Sequence, residues 1–318
     1  MKLIKPSYNI IEQECGLNGI YKQIELAGRT CYKSEDKITE DSAKGFVDRM
    51  IKSGHGAMLE HGTVYLRQDF SLFEFTELIE KGFIPELLNK YNANTYSVSG
   101  GGRLFDENIF TIVVTTNLRV LVENNWLDDL KYLCEPTEFH QKRVTVRFIC
   151  DRGVSHEFVR HRVFSFAQES TRYCNYSKDK FGNEVTFILP PWLDENSPNL
   201  HKCAQASDDW GECLSEYYYK ITELGAKEGM YVDTHQAFAT ALFHAEKLYF
   251  SLLDNGWKAQ EARAVLPNSL KTELVMTGFI DDWKHFFFLR DAAAAHPQAR
   301  ELAKPLHKEF IEKGYVTE

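Results

Sequence analysis

Residues 157–173 read Glu-Phe-Val-Arg-His-Arg-Val-Phe-Ser-Phe-Ala-Gln-Glu-Ser-Thr-Arg-Tyr, the most informative stretch of this chain for both fold and chemistry. Within it, three arginines and one histidine span only thirteen residues and alternate with phenylalanines. Arginine presents a planar fork of N–H donors that suits phosphates and ring oxygens. Apolar neighbours lower the local dielectric and strengthen such contacts. Composition alone fits a solvated helix with scattered arginines equally well, so the surrounding sequence has to decide.

The charge of the whole chain narrows the classes of function. Its 318 residues carry a formal net charge of −9, which disfavours a protein that binds nucleic-acid backbones through a broad basic face. A few arginines still create a local positive pocket on an acidic protein. We therefore expect small anionic ligands and no nucleic acid.

Several sequence features bear on where the protein works. No apolar run approaches the ~20 residues needed to cross a bilayer, and the first residues lack the apolar stretch of a secretory signal. The seven cysteines are scattered and form no Cys-x-x-Cys pair, which favours reduced thiols over disulfides or a zinc cluster. These features predict a cytoplasmic protein without a membrane segment.

Hydrophobic patterning predicts a single α+β domain over residues 1–318. Predicted strands cover 63–70, 110–116, 144–150 and 272–280. Predicted helices cover 39–54 with Gly54 as its stop, 71–82, 118–133, two or more within 207–256, and one after an Asp281 N-cap. The glycine-rich residues 97–102 predict a flexible break.

Three blocks of sequence, taken in order, resemble one enzyme family. Arg160-His161-Arg162, then seven residues, then Ser170 resembles the signature of the flavin-dependent thymidylate synthases, the ThyX family. Upstream, residues 55–61 resemble the family's first characteristic turn. Downstream, residues 261–267 and 285–290 resemble its Ala-Arg-x-x-Leu-Pro and His-Phe-x-x-Leu-Arg elements. The resemblance covers roughly residues 39–306, with a longer connection at about 80–140.

The resemblance implies a ThyX-like fold with a central antiparallel or mixed sheet, and a reaction that needs no protein nucleophile. The family methylates dUMP to dTMP: methylenetetrahydrofolate supplies the carbon, reduced FAD supplies the hydride, and NADPH re-reduces the flavin. Such chemistry demands orientation of flat ligands and stabilisation of charge on the uracil ring. The family also implies a homotetramer with shared active sites.

Residue roles follow from the same resemblance. The implied dUMP-binding residues are Glu157, Phe158, Val159, Arg160, Gln168, Glu169, Ser170, Thr171, Arg172, Arg263 and Arg290. The implied FAD-binding residues are His55, Ala57, Glu60, Arg160, His161, Arg162, Gln168, Phe279, Asp281 and His285. Among these, Arg290 is the predicted catalytic group, because a permanent cation favours an ionised or polarised uracil.

The chain departs from the commoner family pattern at two places. Ala167-Gln168 stands where Asn-Glu is frequent; glutamine keeps hydrogen bonding but removes an anion and any acid–base role. Phe279 and Asp281 stand where asparagine and arginine are frequent, which changes how the adenosine part of the flavin is held.

Alternative interpretations remain at this stage. The Ala167-Gln168 departure motivates a related enzyme that makes a hydroxymethylated pyrimidine nucleotide, and the arginines with aromatics motivate a single-stranded nucleic-acid binder. Ser170 lacks a Gly-x-Ser-x-Gly turn, so a substrate contact is favoured over a nucleophile. The spacing of His55, Glu60 and His61 is not His-Glu-x-x-His, so no metal site is predicted.

Overall fold

The computed structural model describes residues 1–104, 108–198, 200 and 234–317. The chain divides into two compact units. Unit 1 contains Met1–Pro6, Cys150–Ser155 and Ser170–Thr272, and unit 2 contains Ser7–Ile149, His156–Glu169 and Glu273–Glu318. The single domain expected over residues 1–318 stays a prediction.

Nine strands form within the described residues. In chain order they are β1 (Lys2–Ile4), β2 (Ser7–Ile11), β3 (Thr63–Ser71), β4 (Val98–Leu104), β5 (Ile109–Asn117), β6 (Arg143–Asp151), β7 (Ser165–Gln168), β8 (Thr186–Ile188) and β9 (Lys271–Phe279). The predicted strands 63–70, 110–116, 144–150 and 272–280 are confirmed to within a residue at each end.

The same residues contain eleven α-helices. They are α1 (Gly16–Tyr32), α2 (Ser42–Lys52), α3 (Gly56–Leu59), α4 (Leu72–Glu80), α5 (Glu86–Asn92), α6 (Leu118–Glu123), α7 (Arg152–Phe158), α8 (Thr234–Asp254), α9 (Ala259–Ala262), α10 (Ile280–Arg290) and α11 (Pro297–Glu312). Gly54 ends the turn after α2 with a φ of 70°, a left-handed conformation that glycine adopts readily. None of the helices in the described ranges is long and apolar enough to cross a membrane.

The main sheet belongs chiefly to unit 2 and has the strand order β2-β6-β9-β7. β2 pairs antiparallel with β6, and β7 pairs antiparallel with β9. An aromatic core covers one face, where Phe148 of β6 packs edge-on against Phe158 of α7 and lies near Trp283 of α10. Small apolar side chains cover the other face, where Ala27 of α1 packs with Val275 of β9. Helices therefore flank a sheet that is buried on both faces, as the α+β prediction requires.

The long connection folds as part of unit 2. β3, β5 and β4 form an antiparallel sheet in that order, and α5 packs Leu87 and Tyr91 against its apolar face. Alternate residues of the strands, such as Val64 and Val114, supply the rest of this core. The connection thus shares one hydrophobic core with α1 and α2, which contribute Ile24 and Val47.

The described part of unit 1 contains a short parallel pair, β1 and β8. Phe187 of β8 and Tyr249 of α8 are fully buried in its core with Cys174. The ammonium group of Met1 lies 2.9 Å from the carboxylate of Glu246 on α8. Of the helices predicted within 207–256, α8 is confirmed, and residues 207–233 lie outside the described ranges.

Three local predictions are wrong. Residues 97–102 are not a flexible break, because β5 supplies hydrogen-bonding partners to β4 and turns the glycines into a strand. Residues 118–133 are not one helix: α6 ends at Glu123, and Asn125, with a φ of 58°, precedes a 3-10 turn. Asp281 is not an N-cap, because Phe279 holds that position and Asp281 lies in the first turn of α10.

Candidate functional site

Arg290, the predicted catalytic group, is the last residue of α10 in unit 2. Its guanidinium group donates three hydrogen bonds. Its Nη1 donates to Glu157 Oε2 at 2.6 Å, its Nη2 donates to the Glu157 carbonyl oxygen at 2.8 Å, and its Nε donates to His161 Nε2 at 3.0 Å. Glu157 lies in the last turn of α7, and His161 follows three residues after that helix ends. The fork of Arg290 is therefore held in one orientation by groups from a second segment.

His161 is neutral at physiological pH. Burial, followed by the charges of Arg290 and His285, lowers the pKa of His161 to about 4. Because its Nε2 accepts a hydrogen bond from Arg290, the single ring proton sits on Nδ1. A neutral imidazole fixes the arginine without adding a second positive charge. His285 lies nearby on α10, with its ring centroid 6.1 Å from that of His161, and it is exposed.

Arg160 and Arg162 flank His161 and point outward. Both side chains are exposed, and neither makes a hydrogen bond or ion pair with another described residue. The turn is anchored from below by Phe164, which is buried and packs edge-on against Trp283 at 4.7 Å. A Cβ on Gly278 would lie 2.5 Å from the Phe164 ring, so only glycine allows this close approach. Local packing thus fixes a turn that presents two exposed guanidinium groups, neither of which has a side-chain partner among the described residues.

Those two guanidinium groups provide the test of whether the site suits a flavin nucleotide. A flavin nucleotide offers phosphates and ring oxygens, all of which accept hydrogen bonds from N–H donors. Arg160 and Arg162 are exposed and have no side-chain partner among the described residues, and His285 adds an exposed imidazole. The residues present fit such a ligand in charge and hydrogen-bonding type.

The first characteristic turn, residues 55–61, lies on α3 and its flanks. His55 and Ala57 are exposed. Glu60 forms an ion pair with Arg119, a residue of the long connection that the sequence did not single out. His61 is fully buried instead, with its Nδ1 2.8 Å from Thr277 Oγ1. His61 is therefore a core residue of the sheet face.

Ala167 and Gln168, which depart from the family pattern, are the last two residues of β7. Ala167 is buried in the apolar cluster with Ala27 and Val275, where a polar asparagine side chain would need a hydrogen-bonding partner. Gln168 is half-buried at the last position of β7. Glu169 is buried, and its backbone N–H donates to the Glu273 carbonyl oxygen at 2.8 Å.

The remaining predicted dUMP residues differ in their surroundings. In unit 1, Arg263 Nη1 donates to Thr171 Oγ1 at 2.9 Å, so these two are brought together. Ser170 Oγ accepts from the Arg172 backbone N–H at 3.4 Å, and Arg172 lies over the Tyr173 ring at 5.5 Å. In unit 2, Phe158 is fully buried in the aromatic core and Val159 is half-buried, so the Phe158 side chain supports the site from beneath.

Sequence reasoning missed Arg143, the first residue of β6. Its guanidinium donates to the Glu60 carbonyl oxygen at 3.0 Å, to Thr63 Oγ1 at 3.2 Å and to Ser165 Oγ at 3.3 Å. It also lies 5.5 Å from the centroid of the Phe279 ring. In the sequence, Arg143 only precedes a β-branched run, and an arginine at the start of a strand does not by itself indicate a functional site.

Phe279 and Asp281 sit at the junction of β9 and α10. Asp281 is exposed and pairs with Lys284 at 2.7 Å. Asp282, in the same turn, is half-buried, and burial raises the pKa of its carboxyl group above the usual value. Within the ranges that the structure describes, no three His, Cys, Asp or Glu side chains form a group that suits a metal ion.

Comparison with known proteins identifies close relatives in sequence. The flavin-dependent thymidylate synthase of Mycobacterium avium (strain 104) is 33% identical over 153 residues, which is 48% of this chain and 50% of the relative. The enzyme of the same name from Mycobacterium bovis (strain BCG / Pasteur 1173P2) is 29% identical over 152 residues. The chain spans about half the length of these curated relatives.

Among solved structures, the UMP/dUMP methylase PolB from Streptomyces cacaoi, bound with 5-Br dUMP, aligns with 98% of this chain and 93% of its own. Sequence identity is 17% and the TM-score is 0.37, a likeness too low to support an argument about function.

The family-level comparison covers the greater part of the chain. Residues 122–313, which include the Arg-His-Arg turn, Arg263 and Arg290, match the sequence model described as thymidylate synthase complementing protein. The match confirms the family predicted from the three sequence blocks. The chain belongs to the thymidylate synthase complementing protein family.

Proposed function

We propose that this protein is a flavin-dependent thymidylate synthase that methylates dUMP to dTMP. The carbon comes from methylenetetrahydrofolate, FAD is the cofactor, and NADPH is the final reductant. The observation that carries the proposal is the Arg290 fork, which Glu157 and a neutral His161 fix beside the exposed Arg160 and Arg162. The names of the sequence relatives support the same activity.

The proposed reaction needs no nucleophilic side chain. Bound FAD would supply the hydride, and the chain's own residues would orient the ligands and stabilise charge. Arg290 would hold a polarised pyrimidine oxygen, because a cation with fixed orientation favours negative charge where it develops. Arg160 and Arg162 would bind the flavin through their exposed N–H donors, and His161 would hold the Arg290 side chain in its orientation.

The unit 1 residues fit a supporting role in nucleotide binding. The Arg263–Thr171 contact and the turn around Ser170 offer guanidinium, hydroxyl and backbone donors, which suit phosphate and sugar oxygens. Ser170 would act as a ligand contact, consistent with its place in a turn. A ThyX-like fold, a homotetramer and a cytoplasmic location complete the proposal.

The experiment that tests the proposal combines a spectrum with an assay. Purified protein incubated with FAD is expected to show a bound-flavin spectrum and to release tritium from C5-labelled dUMP when folate and NADPH are present. Arg290→Lys is expected to lower kcat/KM about 100-fold, because one oriented donor fork is lost. Arg300→Lys, a change on the neighbouring helix α11, serves as the matched control and should retain activity.

Two results would contradict the proposal. Protein that stays colourless after FAD is added and removed by gel filtration would exclude a flavin enzyme. Flavin binding without tritium release would exclude dUMP as the acceptor. The mass of the product separates thymidylate formation from the related hydroxymethylation, since the first adds CH2 to dUMP and the second adds CH2O.

A further inference from the structure

A small cavity in unit 2 lies where β2 ends and β6 begins. The last residue pair of the two strands joins Ile11 to Thr145, after which the chain leaves β2 through Glu12–Glu14. It reaches β6 through Lys142 and starts that strand at Arg143. All of these residues line a cavity of about 200 Å³. Pockets for drug-sized ligands have volumes of roughly 300–1,000 Å³, so this cavity suits a smaller molecule.

The guanidinium group of Arg143 gives the cavity a cation with available donors. Its described acceptors are the Glu60 carbonyl oxygen and the hydroxyls of Thr63 and Ser165, all of which are uncharged. These bonds use two N–H groups of Nη1 and one of Nη2, so Nε–H and the second Nη2–H have no described acceptor. Arg143 is half-buried, and burial lowers its pKa to about 10, which leaves it charged at neutral pH. A charge in this setting favours an anionic group beside it.

The chain that leaves β2 gives the same cavity two carboxylates. Glu12 Oε1 pairs with Lys313 Nζ at 3.1 Å, and Glu14 Oε2 pairs with Lys22 Nζ at 2.7 Å. Each pair uses one oxygen, and the second oxygen of each carboxylate has no hydrogen-bond partner within the described ranges. The side chains of Glu12 and Glu14 are 69% and 65% exposed, and such exposed pairs contribute only about 0–1 kcal/mol. Either carboxylate can therefore accept a cationic group of a ligand at little cost.

The charges of the lining indicate the class of ligand. Two carboxylates and two cations, Lys142 and Arg143, balance each other. Apolar side chains, among them Ile10, Ile20 and Leu133, supply the rest of the surface. Complementary charge decides which ligands a site accepts, so carboxylates in the lining disfavour a purely anionic ligand such as a phosphate. The lining fits a molecule with one charge of each sign on a short hydrocarbon chain.

We propose that this cavity binds a small zwitterion, an aliphatic amino acid, with its carboxylate on Arg143 and its ammonium group on Glu12 or Glu14. The ligand carboxylate would accept the two N–H groups of Arg143 that have no described acceptor, in charge-assisted hydrogen bonds. Its hydrocarbon chain would lie against the apolar part of the lining. The site needs neither a flavin nor a nucleotide, so it is independent of the proposed function.

Three ligands of similar size that differ in charge test the proposal. δ-Aminovalerate carries both charges, valerate only the negative one, and pentylammonium only the positive one. Isothermal titration calorimetry on the full chain should show that δ-aminovalerate binds about 10-fold to 100-fold more tightly than pentylammonium, which cannot contact Arg143. It should bind about 3-fold more tightly than valerate, because the exposed carboxylates contribute less. A series from glycine to ε-aminocaproate then finds the charge separation that fits the cavity best.

Variants separate the two ends of the ligand. Arg143→Gln should weaken δ-aminovalerate binding about 10-fold to 100-fold and leave pentylammonium binding unchanged. The double variant Glu12→Gln/Glu14→Gln should reduce δ-aminovalerate binding about 3-fold, to the affinity of valerate. Glu77→Gln is the matched control, because Glu77 is also an exposed glutamate paired with a lysine but does not line the cavity. It should leave the affinity for all three ligands unchanged.

Three results would overturn the proposal. In the first, none of the zwitterions binds to the wild-type protein at about 10 mM. In the second, valerate binds as tightly as every zwitterion of the series, which would assign the cavity to simple carboxylates. In the third, δ-aminovalerate binds equally well to the wild type and to the double variant, which also decides the matter if Arg143→Gln fails to fold. Flavin binding does not enter any of these measurements, so the proposed function is tested separately.

Discussion

Strand β6 carries two arginines on the same face of the sheet in opposite electrostatic settings: Arg143 is its first residue and Arg147 lies in its middle. Arg147 donates to the buried carboxylate of Glu273, which also accepts from Lys33 at 2.8 Å. The acceptors of Arg143 among the described residues are all neutral. Arg147 belongs to an ion network, whereas two N–H groups of Arg143 have no acceptor among the described residues. The role of a buried arginine therefore depends mainly on whether a carboxylate is paired with it.

The network at Arg147 also supports the candidate site indirectly. Each Glu273 carboxylate oxygen accepts from a different cation, so the group is fully used. Its backbone carbonyl holds the N–H of Glu169, directly after Gln168. The ion network in the middle of β6 thus stabilises the segment that contains Ala167 and Gln168.

The largest expected effect comes from breaking this network. Glu273→Gln should lower the free energy of unfolding by about 3 kcal/mol, because Lys33 and Arg147 lose their buried carboxylate and keep only the more exposed one of Glu35. Urea unfolding followed by circular dichroism measures the change. Glu12→Gln, which breaks an exposed pair with Lys313, is the control and should cost less than about 1 kcal/mol. Equal losses in both variants would show that the network is not a stabilising unit.

A smaller effect is expected at acidic pH, at the Arg143 end of the strand. Burial, and secondarily Arg143, lowers the pKa of His61 to about 3. The unfolded chain therefore binds this proton first, and stability falls as the pH drops from about 6.5 toward about 3. Between pH 7.5 and 5.5 His61 should account for a loss of about 1.4 kcal/mol.

Urea unfolding at these two pH values, for wild type and His61→Gln, isolates the contribution of that histidine. The wild-type protein should lose more stability than the variant between the two values. Identical losses would mean that His61 titrates alike in the folded and unfolded chains. Arg143→Met should raise the folded-state pKa of His61, since a nearby positive charge is removed.

The smallest effect should follow from Arg143→Met in protein without flavin. The change should alter the free energy of unfolding by less than about 1 kcal/mol, because the lost hydrogen bonds are offset by no longer burying a charge. Arg147→Met should cost clearly more, since it removes one of the two cations that pair with the buried Glu273 carboxylate. Denaturation curves of the two variants without flavin provide the measurement. A larger loss of free energy of unfolding in Arg143→Met would show that Arg143, rather than Arg147, stabilises the fold.

The elements that were predicted well are those that local sequence patterning specifies. β3 and β6 alternate or carry β-branched runs, and both appear where expected. The glycines of β4 failed as a prediction because tertiary contacts override their freedom: a Cβ on Gly102 would lie 2.7 Å from the Phe139 ring. Glycine is needed there for close packing within a strand, which has the same local sequence signal as a flexible loop.

The sequence by itself determined the family, because the Arg-His-Arg turn and its companion blocks are local and ordered along the chain. It also indicated Arg290 as a key cation. Only the tertiary structure decided that Arg290 is held by Glu157 and a neutral His161, since those partners lie more than a hundred residues away. Arg143 emerged for the same reason: its meaning depends on the absence of a carboxylate among its described neighbours, which no local pattern encodes.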